Sequence, residues 1–298
     1  MNAQLNDLQP LSQAIETVVA ASKDRAVAIR NASRRHVSGF VWQPDVVVAS
    51  EQAIGERDEY EIVTADGRSS RARIVGRDAG TNILVLRLSE RIDVSSSVAA
   101  SPRVGSLCLA LAANADGTTA VRIGAVRSVG DRWFSRSGGR IDQRIALDIR
   151  LQRTEEGGPV IDAAGALIGM STLGRPGEVL AIPTATIERI VPQLLANGRV
   201  VRGWLGVALR PVVVPDALVE QAGQHVAMMV MSLAEQGPAA QAGVTAGDIL
   251  LTIDGIALRD MRQLMARLSE DNVGKSVELR LIRGGHIIKL DAQIGSRP

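Results

Sequence analysis

The sequence is poor in aromatic residues, histidines, lysines and cysteines. Aromatic residues make up 2% of the 298 positions, so a hydrophobic core has to be built from aliphatic side chains. Three scattered histidines and one cysteine offer no metal site, and no phosphate-binding glycine loop or dinucleotide fingerprint is present. We therefore expect no metal ion and no cofactor. The single Cys108 lies in an apolar run, which indicates a buried, inert thiol.

The chain also lacks a large net charge and a long apolar run. A net charge of +2 gives little support for nucleic-acid binding. No window reaches the roughly 18 consecutive apolar residues of a membrane span. Met1–Ser22 has neither the cationic start nor the continuous apolar stretch of a signal peptide. These absences predict a cytoplasmic protein with no nucleic-acid partner and no membrane span.

Short apolar runs, separated by turn residues, occupy most of the first two thirds of the chain. Two successive sets of six predict two small antiparallel barrels with a cleft between them. The predicted strands are Ala26–Arg30, Val37–Trp42, Val46–Ser50, Tyr60–Ala65, Arg71–Arg77 and Ile83–Leu88, then Ser106–Ala113, Val121–Val129, Arg144–Ile149, Pro159–Ile161, Ala166–Thr172 and Glu178–Ile182.

Two helices are expected to flank this region. Apolar spacing predicts a helix over Leu11–Ala21, with Ser12 as its N-cap. A second helix is predicted over Thr184–Asn197, bent or restarted by Pro192 and stopped by Gly198. A first domain over residues 1–198 and a second over 199–298 follow from these patterns. The second mixes strands and helices and ends in a predicted hairpin about Gly284-Gly285.

The most informative stretch lies inside the second predicted barrel, from Thr154 to Asp162. Gly157-Gly158-Pro159 leads into an apolar strand, a pattern that lets the backbone turn tightly and aim N–H groups at a developing oxyanion. The residue before this run is Glu156. A carboxylate cannot replace the activated hydroxyl that attacks the substrate in a serine hydrolase.

Several further motifs follow one another along the chain. They are Ser38-Gly39-Phe40-Val41, Asp66-Gly67-Arg68, Ala181-Ile182-Pro183, Arg202–Val207, and Gly237–Gly247 followed by Asp248. Together with the Gly-Gly-Pro loop, they resemble the HtrA/Deg family over nearly the whole chain. The resemblance implies a mainly β fold, in which a chymotrypsin-like double β-barrel precedes a small α+β PDZ domain.

The resemblance also assigns the positions of a catalytic triad. The histidine position is Gln52, the acid position is Asn82 and the serine position is Glu156, while Thr154 stands where a glycine helps to form the oxyanion hole. Losing the nucleophile or base of a serine protease costs on the order of 10⁶ in turnover. We therefore expect an inactive homologue, a pseudoprotease that acts in protein quality control.

Alternatives remain open at this site. Glu155 and Glu156 are expected to lie in water, or Glu156 to fold into the oxyanion hole and accept its N–H bonds. Asp78 is interpreted as a turn residue and His36 as a solvated loop residue rather than a relocated base. The alternative function is a serine-type endopeptidase with unconventional or partner-supplied catalytic residues.

The C-terminal domain keeps the features of a peptide-binding PDZ domain. The resemblance implies a carboxylate-binding loop at Gly203–Gly206, with Leu205 and Val207 lining the pocket or continuing the binding strand. Trp204 belongs to this loop or packs at the domain junction. On the helix Met261–Leu268, Leu264 and Leu268 are expected in the core. Met261 and Met265 face the groove by resemblance, or fill the core instead.

These features predict a peptide-binding or protein-binding scaffold, or a chaperone-like module. Its partners are expected to be C-terminal or unfolded peptides, and an active HtrA relative. A homo-oligomer is a further expectation, since the family forms trimers through N-terminal contacts that are often aromatic. The segment before Val37 has no aromatic residue, so the sequence does not support a trimer in particular.

Overall fold

The computed structural model describes residues 8–30, 36–55, 59–94, 101–135, 137–268 and 272–296. Two closed six-stranded barrels come first and a mixed sheet-and-helix unit follows, which confirms the predicted mainly β fold. The described residues between 8 and 133 and those of Ile141–Val200 form one compact unit. Phe134–Arg140 and the described residues from Val201 onward form the other.

The first barrel closes in the order β1-β2-β3-β6-β5-β4, with antiparallel pairing. Its central strands carry buried Val, Ile and Leu side chains on both faces, so the barrel is filled by aliphatic groups. The strands are β1 (Ala26–Arg30), β2 (His36–Gln43), β3 (Val46–Ser50), β4 (Glu59–Val63), β5 (Ser69–Asp78) and β6 (Ile83–Leu88).

The second barrel closes in the order β11-β14-β13-β12-β7-β8. Strands β9 and β10 form a separate two-stranded sheet between β8 and β11, and this sheet was not predicted. Cys108 on β7 is buried as predicted, and burial raises the pKa of its thiol to about 11. The strands are β7 (Leu107–Ala113), β8 (Thr119–Gly130), β9 (Trp133–Phe134), β10 (Arg140–Ile141), β11 (Arg144–Asp148), β12 (Pro159–Asp162), β13 (Leu167–Leu173) and β14 (Val179–Pro183).

Helix α1 spans Leu8–Ser22 and begins three residues before the predicted start. Ser12 therefore lies inside the helix, where its hydroxyl donates to Glu16 at 2.9 Å, and the predicted N-cap is wrong. Helix α2 spans Thr184–Asn197 without restarting at Pro192. Gly198 ends it with φ 70° and donates its N–H to the Leu194 carbonyl, as predicted.

The C-terminal unit is built on the sheet order β16-β17-β18-β20-β21, so β16 lies at an edge. The predicted hairpin is confirmed: Arg283 pairs with His286, and both Gly284 and Gly285 have positive φ. Helix α3 (Asp216–Ala222) was not predicted. The other elements are β15 (Gly203–Trp204), β16 (Val207–Val213), β17 (Val226–Leu233), α4 (Pro238–Gln241), β18 (Ile249–Ile253), β19 (Ile256–Ala257), α5 (Met261–Arg267), β20 (Ser276–Arg283), β21 (His286–Gln293) and β22 (Gly295–Ser296).

Candidate functional site

The loop before β12 is held against the first barrel because two of its residues have no side chain. Gly157 adopts φ 93°, and a Cβ there would lie 2.3 Å from the Ser38 carbonyl oxygen. A Cβ on Gly158 would lie 2.0 Å from the carbonyl oxygen of Leu111. Ser171 on β13 accepts from Gly157 N–H at 3.0 Å and donates to the Gly158 carbonyl at 2.8 Å. The glycines thus fix the backbone on either side of Glu156.

Glu156 points into a buried polar cluster rather than into water. Its Oε1 atom accepts hydrogen bonds from Ser50 Oγ at 3.0 Å, Gln52 Nε2 at 2.5 Å, Thr172 Oγ1 at 2.9 Å and Leu173 N–H at 3.2 Å. The residue is 4% exposed. These donors come from both barrels, so the carboxylate ties the two barrels together at the cleft.

Asn82, the residue before β6, completes this cluster. Its Oδ1 accepts from Ser50 Oγ at 3.1 Å and from Gln52 N–H at 2.8 Å, and its Nδ2 donates to Thr172 Oγ1 at 2.7 Å. Its backbone is left-handed, with φ 58°. The preceding turn is held by Asp78, which accepts from Thr81 N–H and Thr81 Oγ1, in agreement with the predicted turn role.

The structure therefore brings Gln52, Asn82 and Glu156 into one hydrogen-bonded group. That these are the three triad positions stays a prediction, but their meeting is an observation. Ser50 and Thr172, which the sequence analysis did not single out, join them. The available signal was modest: Ser50 ends a fully buried strand two residues before Gln52.

Two backbone N–H groups lie beside the cluster, those of Thr154 and Glu156. Among the described residues neither takes part in a hydrogen bond. Thr154 is held through its carbonyl, which accepts from Ser38 Oγ at 2.9 Å. The predicted folding of the Glu156 carboxylate onto these N–H groups does not occur, because its Oε1 is bonded to side chains across the cleft and to Leu173.

Glu155 is also buried, at 8% exposure, so the expectation that both glutamates lie in water is wrong. Arg122 on β8 donates hydrogen bonds to its carboxylate from Nε and Nη2, and the shortest of these is 2.7 Å. Gln152 N–H donates to the same carboxylate at 2.8 Å. The two neighbouring glutamates thus face different partners, and only Glu156 belongs to the polar cluster.

A cavity of about 1040 Å³ opens next to the cluster, within the two-barrel unit. Gln52, Thr154 and Glu156 lie on its wall. The volume exceeds what a single side chain fills and suits several residues of an extended peptide. The remaining lining residues are Ile29, His36, Val37, Ala53, Ile54, Gly55, Tyr60, Arg153, Leu173 and Gly174.

His36 is half-buried on the wall of this cavity, at the first residue of β2, rather than solvated in a loop as expected. Burial lowers its pKa, and the nearby Arg30 lowers it further while Asp116 opposes both. Within the described part of the chain, no serine or threonine hydroxyl is hydrogen-bonded to its ring. Its neighbours Arg34 and Arg35 lie outside the described residues.

In the C-terminal unit, the predicted carboxylate-binding loop has both of its middle carbonyl groups in hydrogen bonds. The Leu205 carbonyl accepts from Ala239 N–H at 2.9 Å and the Gly206 carbonyl from Ala234 N–H at 2.8 Å. The N–H groups of Leu205 and Gly206 are in no hydrogen bond with described residues. Gly206 has φ 74°. With both carbonyls held elsewhere, the loop keeps two donors for a ligand.

Helix α5 and the residue that follows it place two leucines in the core, as predicted. Leu264 and Leu268 are buried in the core. Met261 is 38% exposed, whereas Met265 is half-buried beside Gly138. Trp204 lies next to Gly206, and Val207 begins the edge strand β16. That these residues bind a peptide stays a prediction.

Other site types find no support in the described residues. None of their His, Cys, Asp and Glu side chains form a group of three or more that could hold a metal ion. None of the helices in that part of the chain has the length and apolar character needed to cross a membrane.

Comparison with known families gives two matches. Residues 37–170 match the trypsin-like peptidase domain, and residues 203–294 match the PDZ domain. The probable periplasmic serine endoprotease DegP-like of Bartonella henselae is 29% identical over 99% of this chain and 61% of its own length. Protease Do-like 1, chloroplastic, of Arabidopsis thaliana is 26% identical over 88% of this chain and 64% of its own. The chain therefore spans less than two thirds of these relatives.

Solved structures agree with this assignment. The HtrA-type protease AlgW with tripeptide has a TM-score of 0.72 at 25% identity, covering 94% of this chain and 96% of its own. The serine endoprotease from Yersinia pestis has a TM-score of 0.73 at 23% identity, covering 95% of this chain and 98% of its own. The second likeness speaks for the fold alone.

Two predictions are contradicted by these comparisons. The expectation that the chain is not an enzyme is wrong, because the relatives are named serine endoproteases and the structural neighbour at 25% identity is an HtrA-type protease. The cytoplasmic location is also wrong, because relatives from Bartonella, Brucella and Rhizobium are named periplasmic. The predicted replacement of the triad at Gln52, Asn82 and Glu156 does not by itself exclude catalysis by other groups.

Proposed function

We propose, from the premise that this chain joins a trypsin-like peptidase domain of the HtrA/DegP type to a PDZ domain, that it is an endopeptidase with unconventional catalytic residues. It acts on unfolded polypeptide, and it works in the periplasm. The observation that carries this proposal is the cavity of about 1040 Å³ with Gln52, Thr154 and Glu156 on its wall. An extended peptide in that cavity lies against a buried carboxylate and two N–H donors.

The catalytic residues are proposed to be unconventional because the hydroxyl groups of the polar cluster do not line the cavity. An attacking hydroxyl needs a base that takes its proton and a path to the substrate. The hydroxyls that meet the Glu156 carboxylate are Ser50 and Thr172, at 3.0 Å and 2.9 Å, and neither is among the residues that line the cavity. We therefore place the chemistry on groups that do reach the cavity wall.

The hydrolytic proposal predicts that the purified full-length protein cuts an unfolded protein such as reduced casein at internal peptide bonds. A fluorophosphonate should leave the rate unchanged, because no serine is among the described residues that line the cavity. The measurement is the release of internal fragments, identified by mass spectrometry, with and without the reagent. Intact casein after prolonged incubation would remove the endopeptidase proposal.

The second proposed activity is capture of polypeptide C-termini by the PDZ domain. It is supported by the two N–H donors of Leu205 and Gly206 and by the position of β16 at the sheet edge, where a peptide adds as a further strand. Bound in this way, a substrate is held near the protein while its interior is processed. The same capture serves a scaffold or chaperone-like role toward unfolded chains.

Capture of a C-terminus predicts that peptide affinity depends on the free carboxylate. Amidating an apolar C-terminal peptide should weaken binding to the full chain at least about tenfold, or about 1.4 kcal/mol. Met261→Lys should weaken it as well, whereas the same change at Met231, a more exposed methionine on β17, should not. Fluorescence anisotropy with both peptides measures this, and equal affinity for acid and amide would count against the carboxylate loop.

A further inference from the structure

The two oxygens of the Glu156 carboxylate differ in the number of hydrogen bonds that they accept. Oε1 accepts all four hydrogen bonds of the cluster, from Ser50, Gln52, Thr172 and Leu173. Oε2 accepts none from the described residues. Since the residue is 96% buried and lies on the cavity wall, its second oxygen is the atom left for a ligand there.

The donors on Oε1 also leave the carboxylate little freedom. Gln52 and Ser50 approach from the first barrel, and Thr172 and Leu173 from β13 of the second. Four donors from two barrels on one oxygen restrict the rotation of the carboxylate, so its other oxygen keeps a preferred direction. Such preorganisation is what a catalytic base requires.

Thr154 and Glu156 provide hydrogen-bond donors for the oxyanion that forms during hydrolysis. Their backbone N–H groups form no hydrogen bond with described residues, and both residues line the same cavity. The positive φ of Gly157 and the hydrogen bonds of Gly157 and Gly158 to Ser171 fix the loop that carries them. Paired backbone donors of this kind stabilise an oxyanion as it forms.

We propose that Glu156 is a general base that activates water for peptide-bond hydrolysis, with Thr154 and Glu156 N–H groups receiving the oxyanion. This inference rests on the proposed endopeptidase function and names the mechanism of that site. Ser50, Asn82 and Thr172 act as positioning residues, because they contact the carboxylate or one another and are not among the residues that line the cavity. Gln52 also holds Oε1, and it lines the cavity itself.

The reaction needs no group besides the peptide and one water molecule. Glu156 Oε2 takes a proton from water while the water oxygen bonds to the carbonyl carbon, and the carbonyl oxygen becomes an oxyanion. The tetrahedral intermediate then breaks its C–N bond, and the proton held by Glu156 passes to the leaving nitrogen. The products are a carboxylic acid and an amine, and the Glu156 carboxylate is regenerated.

The test compares Glu156→Gln with Glu155→Gln, the same change on the neighbouring buried glutamate, which is paired with Arg122 outside the cavity. General base catalysis contributes about 10²–10⁴ in rate, so Glu156→Gln should lower kcat by at least about 10². Glu155→Gln should stay within about tenfold of the wild type. The readout is kcat for an internally quenched peptide, with thermal unfolding as the check on folding.

Unchanged kcat in folded Glu156→Gln, or covalent labelling of Ser50 by a fluorophosphonate with loss of activity, would overturn the inference while leaving the endopeptidase function standing. Absence of hydrolysis by the wild type would instead overturn the proposed function.

Discussion

Replacing Gly158 with alanine should destabilise the two-barrel unit by about 3 kcal/mol or more, because the new Cβ would lie 2.0 Å from the Leu111 carbonyl oxygen. Overpacking a close contact costs about 1–3 kcal/mol when the neighbours can shift, and here the neighbour is backbone of a buried strand. The loop that presents Glu156 would have to move away from β7. Calorimetric unfolding of the full chain measures the change.

The matched control for this prediction is Gly130→Ala. Gly130 also lies in the second barrel, and a Cβ there would meet its nearest atom at 3.6 Å, which is ordinary contact. We expect that variant to unfold within a few degrees of the wild type. If Gly158→Ala proved as stable as Gly130→Ala, the close packing of the loop against β7 would not be a determinant of the site.

Asp248→Asn should remove about 2–3 kcal/mol from the stability of the C-terminal unit. The Asp248 side chain is 2% exposed and accepts from Arg283 Nε at 2.8 Å, Arg283 Nη2 at 2.7 Å and Thr245 N–H at 2.8 Å. Breaking a buried pair costs about 3–5 kcal/mol, and the value is reduced here because Arg283 is 38% exposed. Asp291→Asn, on the exposed side of β21, is the control.

The same pair gives stability a defined pH dependence. Burial, the largest influence, raises the pKa of Asp248, but Arg283 and Thr245 outweigh it, so the net shift is downward from 3.8. A lowered pKa stabilises the fold above the unfolded value and loses that effect as pH falls through the folded value. The difference in free energy of unfolding between the wild type and Asp248→Asn should therefore be constant near pH 7. It should shrink below about pH 3.8. A difference that grows on acidification would contradict this assignment.

The double barrel could be predicted because each strand is short, aliphatic and bounded by turn residues. Val46–Ser50 and Ile83–Leu88 have the predicted bounds, since their runs of branched residues end at polar ones. The sheet of β9 and β10 was missed because strands of two residues leave no periodic signal. Helix α3 was missed for a related reason: at seven residues, Asp216–Ala222 is too short to show a clear apolar stripe.

The site could be predicted only in part. The resemblance placed Gln52, Asn82 and Glu156 at related positions, and their hydrogen bonds bring them together. The burial of Glu155 and Glu156 could not be read from the local sequence, because it depends on partners such as Arg122 and Ser50, which are 33 and 106 positions away. The expectation of inactivity is contradicted by relatives that are named serine endoproteases, and it was drawn only from the residue types predicted to stand at three positions.

The most direct test of this account is whether the purified full-length protein cuts an unfolded protein and whether that cutting requires the Glu156 carboxylate. Reduced casein should give internal fragments with the wild type and at least about 10²-fold fewer per unit time with Glu156→Gln prepared in parallel. Equal fragment yields from the two proteins, or none from the wild type, would contradict it.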